Sequence, residues 1–289
     1  MKRIAESELI LNDDGSIFHL HIKPSQLADK VILVGDPGRV KLAASFFTSI
    51  ECEVESREFR TATGVYKGKR ISVISTGIGT DNIDIVMNEL DALVNVDLET
   101  RLPKEQKKSL DIIRVGTSGS LQAEIPIDSF LISEKSIGFD GLLNFYETRN
   151  EVSDIAFEKA FTTFVDWNEL LAKPYVVNSS AKLVDRIHSE ATVKGVTISA
   201  PGFYGPQGRI IRLNTMDNGL NDKIAAFRYQ GYKVTNYEME SSAIAGLSLM
   251  MGHQATTVCA IIANRTNGTS SPDYKKTITQ LLQYVLDRI

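Results

Sequence analysis

Apolar positions along the chain cluster into short, nearly uninterrupted runs, which are typical of strands buried on both faces of a parallel sheet. The clearest runs cover residues 30–35, 71–75 and 110–115. Glycine and hydroxyl residues follow each run, and helically spaced apolar positions follow the first two. Alternation of this kind predicts an α/β fold, in which ligands bind beyond the carboxyl ends of the strands.

The rest of the pattern is read in the same way. It predicts strands over 125–133, 193–199 and 256–263, helices over 181–190, 218–227 and 274–287, and a polar loop over 146–154. No repeat and no shift in composition marks a domain boundary. We therefore predict an N-terminal arm, residues 1–16, and a single domain, residues 17–289.

One stretch, residues 236–251, combines carboxylates with a helix that has no polar face. Glu238 and Glu240 flank a single methionine where a strand-like segment, residues 233–236, gives way to that helix. A helix that is apolar on every side is buried. The carboxylates have two interpretations: acceptors for the hydroxyls of a polyhydroxylated ligand, or partners of the first helical turn, where negative charge is favoured.

Three glycine-containing turns predict an anion site. Residues 35–39 follow a strand and open a helix, so their backbone amides could hold an anion that Arg39 closes over. Residues 75–80 form a second such turn, and Arg114 precedes a third at 116–119. The turns lack the lysine of a nucleotide-binding P-loop and the spacing of a dinucleotide fingerprint, so neither ATP nor NAD is implied.

Two further features have competing interpretations. The loop over 202–209 is either a surface turn or part of a site. Phe203 and Tyr204 would be costly to expose, and Gln207 and Arg209 can face one ligand edge together. His19 lies among apolar neighbours and is either a structural histidine or a ligand contact.

Composition and charge argue against several classes of protein. The net charge of −4 and the absence of a basic block argue against nucleic acid as a partner. No apolar run approaches the length of about 20 residues that a membrane span needs, and the first residues do not read as a secretory signal. Cys52 and Cys259 are expected to be buried thiols in a reducing cytoplasm rather than a disulfide, and the spacing of His and Cys predicts no zinc site.

In order along the chain, these motifs resemble the nucleoside phosphorylase family of the single-domain α/β type, and within it the uridine phosphorylases. The resemblance is carried by eight segments, residues 18–20, 35–39, 57–59, 75–79, 114–117, 203–209, 237–241 and 264–266. It implies a single domain with a central mixed, partly barrel-like β-sheet flanked by helices. It also implies a transferase in which inorganic phosphate attacks the anomeric carbon of a nucleoside.

The resemblance implies roles for individual residues. The phosphate-binding residues are Gly35, Arg39, Arg57, Arg114 and Thr117, with Arg57 supplied by a neighbouring subunit. The ribose-binding residues are His19, also from the neighbour, Met239 through its backbone, Glu240 and, with a less defined role, Glu238. The base-binding residues are Phe203, Gln207, Arg209, Ile262 and Ala263. The catalytic residues are Arg209, Gln207, Glu240 and Arg114.

The base pocket predicts the substrate. Arginine only donates hydrogen bonds, so Arg209 suits the O4 acceptor of uracil and opposes the amino group of cytosine. Purine-cleaving relatives carry an aspartate in the segment matching 263–266, whereas this chain has Asn264, which cannot donate a proton as an acid. The alternatives are a purine nucleoside phosphorylase or nucleosidase, and a nucleoside-binding protein without turnover.

The remaining expectations concern cofactors and assembly. Phosphate is a co-substrate and no cofactor is expected. Asp81 and Asn82 replace a Pro-Ser pair whose serine, in some relatives, helps to hold potassium with a glutamate matching Glu58, so potassium is not expected. Gly205 and Pro206 reverse the usual order in the loop. The minimal active unit is predicted to be a cytoplasmic homodimer, extended in the family to a trimer of dimers, acting in nucleoside salvage.

Overall fold

The computed structural model describes residues 2–289 as one large mixed β-sheet with helices packed around it. The strands are β1 Lys30–Val34, β2 Ser49–Ser56, β3 Phe59–Tyr66, β4 Lys69–Ser75, β5 Val96–Asp97, β6 Leu102–Pro103, β7 Asp111–Ser120, β8 Phe130–Gly138, β9 Tyr175–Asn178, β10 Thr192–Ser199, β11 Arg228–Tyr229, β12 Tyr232–Glu238, β13 Gln254–Asn264 and β14 Thr269–Ser270. The helices are α1 Pro37–Ala44, α2 Thr80–Asn95, α3 Arg149–Val152, α4 Ile155–Val165, α5 Ala181–Ile187, α6 Leu220–Ala226, α7 Ser241–Met251 and α8 Tyr274–Arg288.

The sheet is open and follows the order β11-β12-β10-β8-β13-β7-β1-β4-β3-β2. Strands β4, β1, β7 and β13 run parallel to one another, and β8, β10 and β12 form a second parallel group. An extra antiparallel pairing of β12 with β7, at Asn236 with Ser120 and Tyr237 with Gly119, curls part of the sheet without closing a barrel of all the strands. This pairing brings the ends of β7 and β12 together, and the candidate site lies there.

Burial explains the strands and helices that the pattern predicted. The side chains of β1 from Val31 to Val34 are fully buried, as expected for a strand with neighbours on both sides. Helix α7 is buried from Ser241 to Ser248 and packs against α2, β8 and β13. Its lack of a polar face follows from this central position. The α/β class and the mixed sheet are confirmed.

The third predicted turn is wrong. Strand β7 continues to Ser120, so Arg114 lies inside a strand and residues 116–119 are extended. Gly116 is needed for space rather than for a turn, because a Cβ there would lie 2.0 Å from Nη1 of Arg114. Gly119 lies under the side chain of Arg265, whose Cδ would be in ordinary contact, 3.5 Å, with an added Cβ.

Several boundaries between 121 and 180 also differ from expectation. The strand predicted over 125–133 is β8, which starts and ends five residues later, and the predicted loop over 146–154 contains α3. Helix α4 and strand β9 were not predicted. The i, i+4 spacing of Phe157, Phe161 and Val165 on the buried face of α4 was the available signal.

The first residues contact the domain through backbone and side-chain groups. The amide of Ile4 donates to the carbonyl of Arg101, and Ile4 and Leu9 pack against the apolar cluster around α2. The division at residue 16 stays a prediction. No helix within residues 2–289 is long and apolar enough to cross a bilayer.

Candidate active site

The first two glycine turns and the stretch containing Glu240 meet at the carboxyl ends of the central strands. Gly35 follows β1 and lies against the second turn, since an added Cβ would be 3.4 Å from the carbonyl oxygen of Gly77. The amide of Gly79, in the same turn, donates to Oε1 of Glu240 at 2.8 Å. Gly77 and Gly79 both have positive φ, 68° and 99°, so this backbone path requires glycine.

Arg114 lies buried at the centre of this cluster, and two of its nitrogens make no hydrogen bond within residues 2–289. Its Nη2 is ion-paired with Oε2 of Glu240, and its Nη1 lies 3.4 Å from Oε2 of Glu238. Within residues 2–289, Nε and Nη1 have no hydrogen-bond partner. A buried donor without a partner costs about 1–3 kcal/mol, so an acceptor that reached these nitrogens would be bound favourably.

A second guanidinium, that of Arg39, is unpaired in the described chain and indicates an anion site. Arg39 is half-buried in the first turn of α1, and its guanidinium makes no hydrogen bond or ion pair with any residue of 2–289. Burial, and after it the positive charge of Arg114, lower the pKa of Arg39. Two arginines that repel each other near an amide-lined turn favour a bound anion. Thr117, on β7, is half-buried with a hydroxyl that is free in the described chain.

The two carboxylates of the 238–240 segment differ in their surroundings. Glu238 accepts hydrogen bonds from the hydroxyls of Ser199 and Ser241 and from the amides of Glu240 and Ser241. It therefore caps the start of α7, which is the second interpretation given by the sequence. Glu240 instead contacts Arg114 and Gly79. Burial, opposed by Arg114 and reinforced by the charge of Glu238, raises the pKa of Glu240 to about 7.

A buried thiol lies behind this cluster. Cys259, on β13, is fully buried, and its Sγ would be 3.2 Å from a Cβ added to Gly116. Burial raises the pKa of Cys259 to about 12, even though Arg114 opposes the shift. Both cysteines are free thiols, as predicted, but only Cys259 is buried; Cys52, on the exposed strand β2, is half-buried.

The loop before α6 brings the predicted base-binding residues together. A 3₁₀ turn, Gly205–Gln207, buries Gln207, and Oε1 of Gln207 accepts a hydrogen bond from Nη1 of Arg209. The same nitrogen donates to the carbonyl of Phe203 at 2.6 Å, and the guanidinium carbon lies 3.9 Å from the centre of the Phe203 ring. The prediction that Phe203 and Tyr204 are buried is wrong, because their rings pack on each other and are 52% and 55% exposed.

Arg265 was not predicted from the sequence, although its segment was noted. Burial and then the positive charge of Arg265 lower the pKa of Arg209. Nη1 of Arg265 is buried without a partner in the described chain, and its guanidinium carbon lies 5.5 Å from the Tyr237 ring centre. Ile262 and Ala263, at the end of β13, precede it and are half-buried.

A hydrogen-bonded chain connects this loop with the carboxylate segment. Asn221, on α6, donates from Nδ2 to the carbonyl of Gln207 at 3.1 Å. Its Oδ1 accepts from the hydroxyl of Tyr237 at 3.1 Å, and Tyr237 directly precedes Glu238. The Gln207–Arg209 pair is therefore tied to the 238–240 segment. The loop also borders a cavity of about 1290 Å³ between residues 166–172 and 201–221, which Arg209 and Tyr204 help to line.

His19 and Arg57 form a separate surface patch around Phe18. Nδ1 of His19 lies 2.6 Å from Oε1 of Glu89, which also accepts from the amides of His19 and Leu20. Arg57 has a φ of 54° at the β2–β3 turn, and its guanidinium carbon lies 5.6 Å from the Phe18 ring centre. No hydrogen bond or ion pair within 2–289 joins this patch to the Arg114 cluster. Glu89, an acid on the buried face of α2, was not predicted as a partner of His19.

Comparison with known proteins assigns the chain to a family. The sequence model of the Phosphorylase superfamily matches residues 29–285. The chain belongs to this superfamily. A uridine phosphorylase of Thermococcus kodakarensis is 30% identical over 271 residues, which are 92% of this chain and 83% of the relative. A purine nucleoside phosphorylase of the DeoD type from Bacillus subtilis is 26% identical, covering 94% of this chain and 98% of the relative.

A solved structure resembles this phosphorylase over almost its whole length. It is a nucleoside phosphorylase of Trypanosoma brucei described as showing uridine phosphorylase activity, with a TM-score of 0.88 and 29% identity, covering 97% of this chain and 98% of that one. The predicted family is therefore confirmed. The structure also places Arg39 near Arg114 and Gln207 beside Arg209, while the predicted roles of the individual residues stay predictions.

Proposed function

We propose that this phosphorylase cleaves uridine, and by extension deoxyuridine or thymidine, with inorganic phosphate to give uracil and a pentose 1-phosphate. It is then a pentosyltransferase of pyrimidine nucleoside salvage. The observation that carries the proposal is the pairing of two donor clusters in one site. One holds the unpaired guanidinium of Arg39 and the unsatisfied Nε and Nη1 of Arg114, and the other is the Gln207–Arg209 pair tied to the Glu240 segment. The uridine phosphorylase relatives support the same substrate.

The phosphate site follows from charge. Arg39 and Arg114 neutralise the dianion, the amide of Gly35 and the hydroxyl of Thr117 complete its hydrogen bonds, and Arg57 of a neighbouring subunit closes the site. Each charge-assisted hydrogen bond contributes about 1.5–3 kcal/mol. The phosphate is itself the nucleophile, so its orientation toward the anomeric carbon replaces a protein nucleophile.

The sugar site binds the pentose and the base site binds the pyrimidine, the two groups joined by the glycosidic bond that breaks. Glu240 accepts from the ribose hydroxyls together with the Met239 backbone, Glu238 holds that segment in place, and His19 of the neighbour reaches the 5′-hydroxyl. Gln207 and Arg209 meet the uracil edge, with Phe203, Ile262 and Ala263 as walls. As the glycosidic bond breaks, negative charge develops on the base, and donors fixed beforehand stabilise that charge in the transition state.

Arg265 extends the base site beyond the predicted set. Its buried Nη1 is unpaired, and its guanidinium packs near Tyr237, which is linked through Asn221 to Gln207, so a second cationic donor serves the same end of the pocket. Two guanidinium groups strengthen the preference for carbonyl oxygens over an amino group, because an arginine has no acceptor to offer. Glu89 supports the site from the other subunit, since its bond to Nδ1 orients the ring of His19.

The reaction is tested by incubating the enzyme with uridine, with and without phosphate. We expect uracil release that depends on phosphate and yields an equal amount of ribose 1-phosphate, measured by chromatography. Uracil release without phosphate would contradict the phosphorolytic mechanism. Cleavage of inosine or adenosine with uridine untouched would select the purine alternative, which the DeoD-type relatives represent. Binding of uridine with no base release would indicate a binding protein.

We propose a homodimer as the minimal active unit, with a trimer of dimers as the larger form, acting in the cytoplasm without a cofactor or a potassium ion. The His19–Arg57 patch supports it, because Arg57 is exposed, His19 is half-buried, and neither is connected to the Arg114 cluster of its own chain.

Mixing two inactive variants tests this assembly. Arg57→Ala damages the partner's site and Arg209→Ala damages its own, so a mixed dimer retains one intact site. We expect refolded equimolar mixtures to recover about one quarter of wild-type activity, since about half of the dimers are mixed and each carries one good site. The separately refolded variants are the controls. No recovery in a mixture shown to exchange subunits would rule out catalysis across the interface.

A further inference from the structure

Asn264, the last residue of β13, uses its side chain entirely within the protein. The residue is 2% exposed, and Nδ2 donates to the carbonyls of Gln122 and Ile125, both at 2.9 Å. Oδ1 accepts from the amide of Asn267 at 2.9 Å. The carboxamide therefore closes its own turn and holds the loop that follows β7.

The residues after Asn264 are held by the same loop. The amide of Arg265 donates to the carbonyl of Ser120, and the hydroxyl of Thr266 donates to the carbonyl of Leu121, both at 2.9 Å. These bonds fix the backbone from which the Arg265 side chain leaves to pass over Gly119. The guanidinium carbon lies 5.5 Å from the ring centre of Tyr237, whose hydroxyl is linked through Asn221 to the carbonyl of Gln207. Its buried Nη1 has no partner in the described chain.

We propose that Asn264 is a positioning residue for base selection: it anchors the turn that presents the Arg265 guanidinium to the base end of the site. The proposal rests on the proposed function, because it assigns this residue to recognition of the pyrimidine. Asn264 does not touch the nucleoside itself. Its carboxamide faces the 122–125 loop, and its effect on the reaction passes through Arg265.

The contacts explain why an amide is required at this position. Aspartate has the same shape but no N–H group, and an ionised carboxylate would face two carbonyl oxygens at the distance of the present hydrogen bonds. Serine or alanine would leave the buried Ile125 carbonyl without its donor and would remove one of the donors of the Gln122 carbonyl. In each case the turn loses the two bonds from Nδ2 to the loop after β7, and the remaining bonds from Arg265, Thr266 and Asn267 fix the position of Arg265 less tightly.

A double-mutant cycle on the full-length enzyme separates positioning from general stability. Asn264→Asp is combined with Arg265→Ala, and the kinetic constants for uridine and phosphate are measured for all four proteins. We expect Asn264→Asp alone to lower kcat/KM for uridine by about tenfold or more and to leave KM for phosphate within about twofold. In the Arg265→Ala background the same change should lower kcat/KM for uridine by less than about twofold.

The matched control is Asn267→Ala, which removes a bond from an exposed amide to the carbonyl of Ala123 on the same loop and keeps Asn264 intact. We expect its kinetic constants to match the wild type. If Asn264→Asp does not fold, as judged by its near-ultraviolet circular dichroism, Asn264→Ser enters the cycle instead.

Three results would overturn the inference. Additive effects of Asn264→Asp and Arg265→Ala would show that Asn264 does not act through Arg265. A parallel rise in KM for phosphate would indicate a structural role alone. Cleavage of inosine by Asn264→Asp would show that the side chain faces the ligand. A wild-type enzyme that releases no uracil would contradict the proposed function instead, before the cycle is measured.

Discussion

Replacing Arg114 with alanine lowers kcat/KM for uridine phosphorolysis by roughly 10²–10⁴-fold and the free energy of unfolding by about 3–5 kcal/mol. The kinetic loss is that of about two charge-assisted bonds at about 1.5–3 kcal/mol each. The loss of stability follows because Glu240 and Glu238 would remain buried without their cation. Steady-state kinetics and urea unfolding measure the two effects.

Arg149 provides a matched control for this variant. It is a second buried arginine, paired with Glu158 at 2.8 Å in the α3–α4 region, and none of the proposed site residues contacts it. Arg149→Ala should lower the free energy of unfolding by a similar amount, about 3–5 kcal/mol, and leave kcat/KM per folded molecule unchanged. If Arg114→Ala loses activity only in proportion to its unfolded fraction, the phosphate site lies elsewhere.

Replacing Arg209 with alanine raises the activation barrier for uridine by about 2.7–4 kcal/mol, the scale observed when one donor to a developing charge is removed. The effect should fall on kcat and leave KM for phosphate unchanged, because Arg209 lies at the base end of the site. Arg212→Ala is the control, since Arg212 is an exposed arginine of the same loop. Equal kinetics for Arg209→Ala and the wild type would place base recognition on other residues.

Most of the central sheet and α7 could be predicted because their signals are local. An apolar run such as β1 and a helix without a polar face are visible in any short window of the sequence. The position of Arg114 inside a strand was harder to predict, because Gly116 and Gly119 suggested that a turn follows it. Gly116 instead makes room for the side chain of Arg114 itself, and Gly119 lies under Arg265, which comes from a distant segment.

The site residues that escaped prediction depend on contacts between distant parts of the chain. Glu89 meets His19 across seventy residues, and the Arg265 side chain passes over Gly119 of β7, where Asn264 ties β13 to the loop after β7. The sequence immediately around Glu89 or Arg265 gives no signal of these contacts. Glu238 shows the opposite case, because the local interpretation, capping of the following helix, describes its bonds correctly.

The buried carboxyl of Glu240 links folding to proton uptake. Its pKa is about 7 in the folded chain, against 4.5 for an ordinary glutamate. Between these two values the folded state holds a proton that the unfolded state has released, so this group's contribution to stability declines as the pH rises from about 4.5 to about 7. Above about pH 7 the ionised form of Glu240, which can only accept hydrogen bonds, is therefore held at the expense of conformational stability.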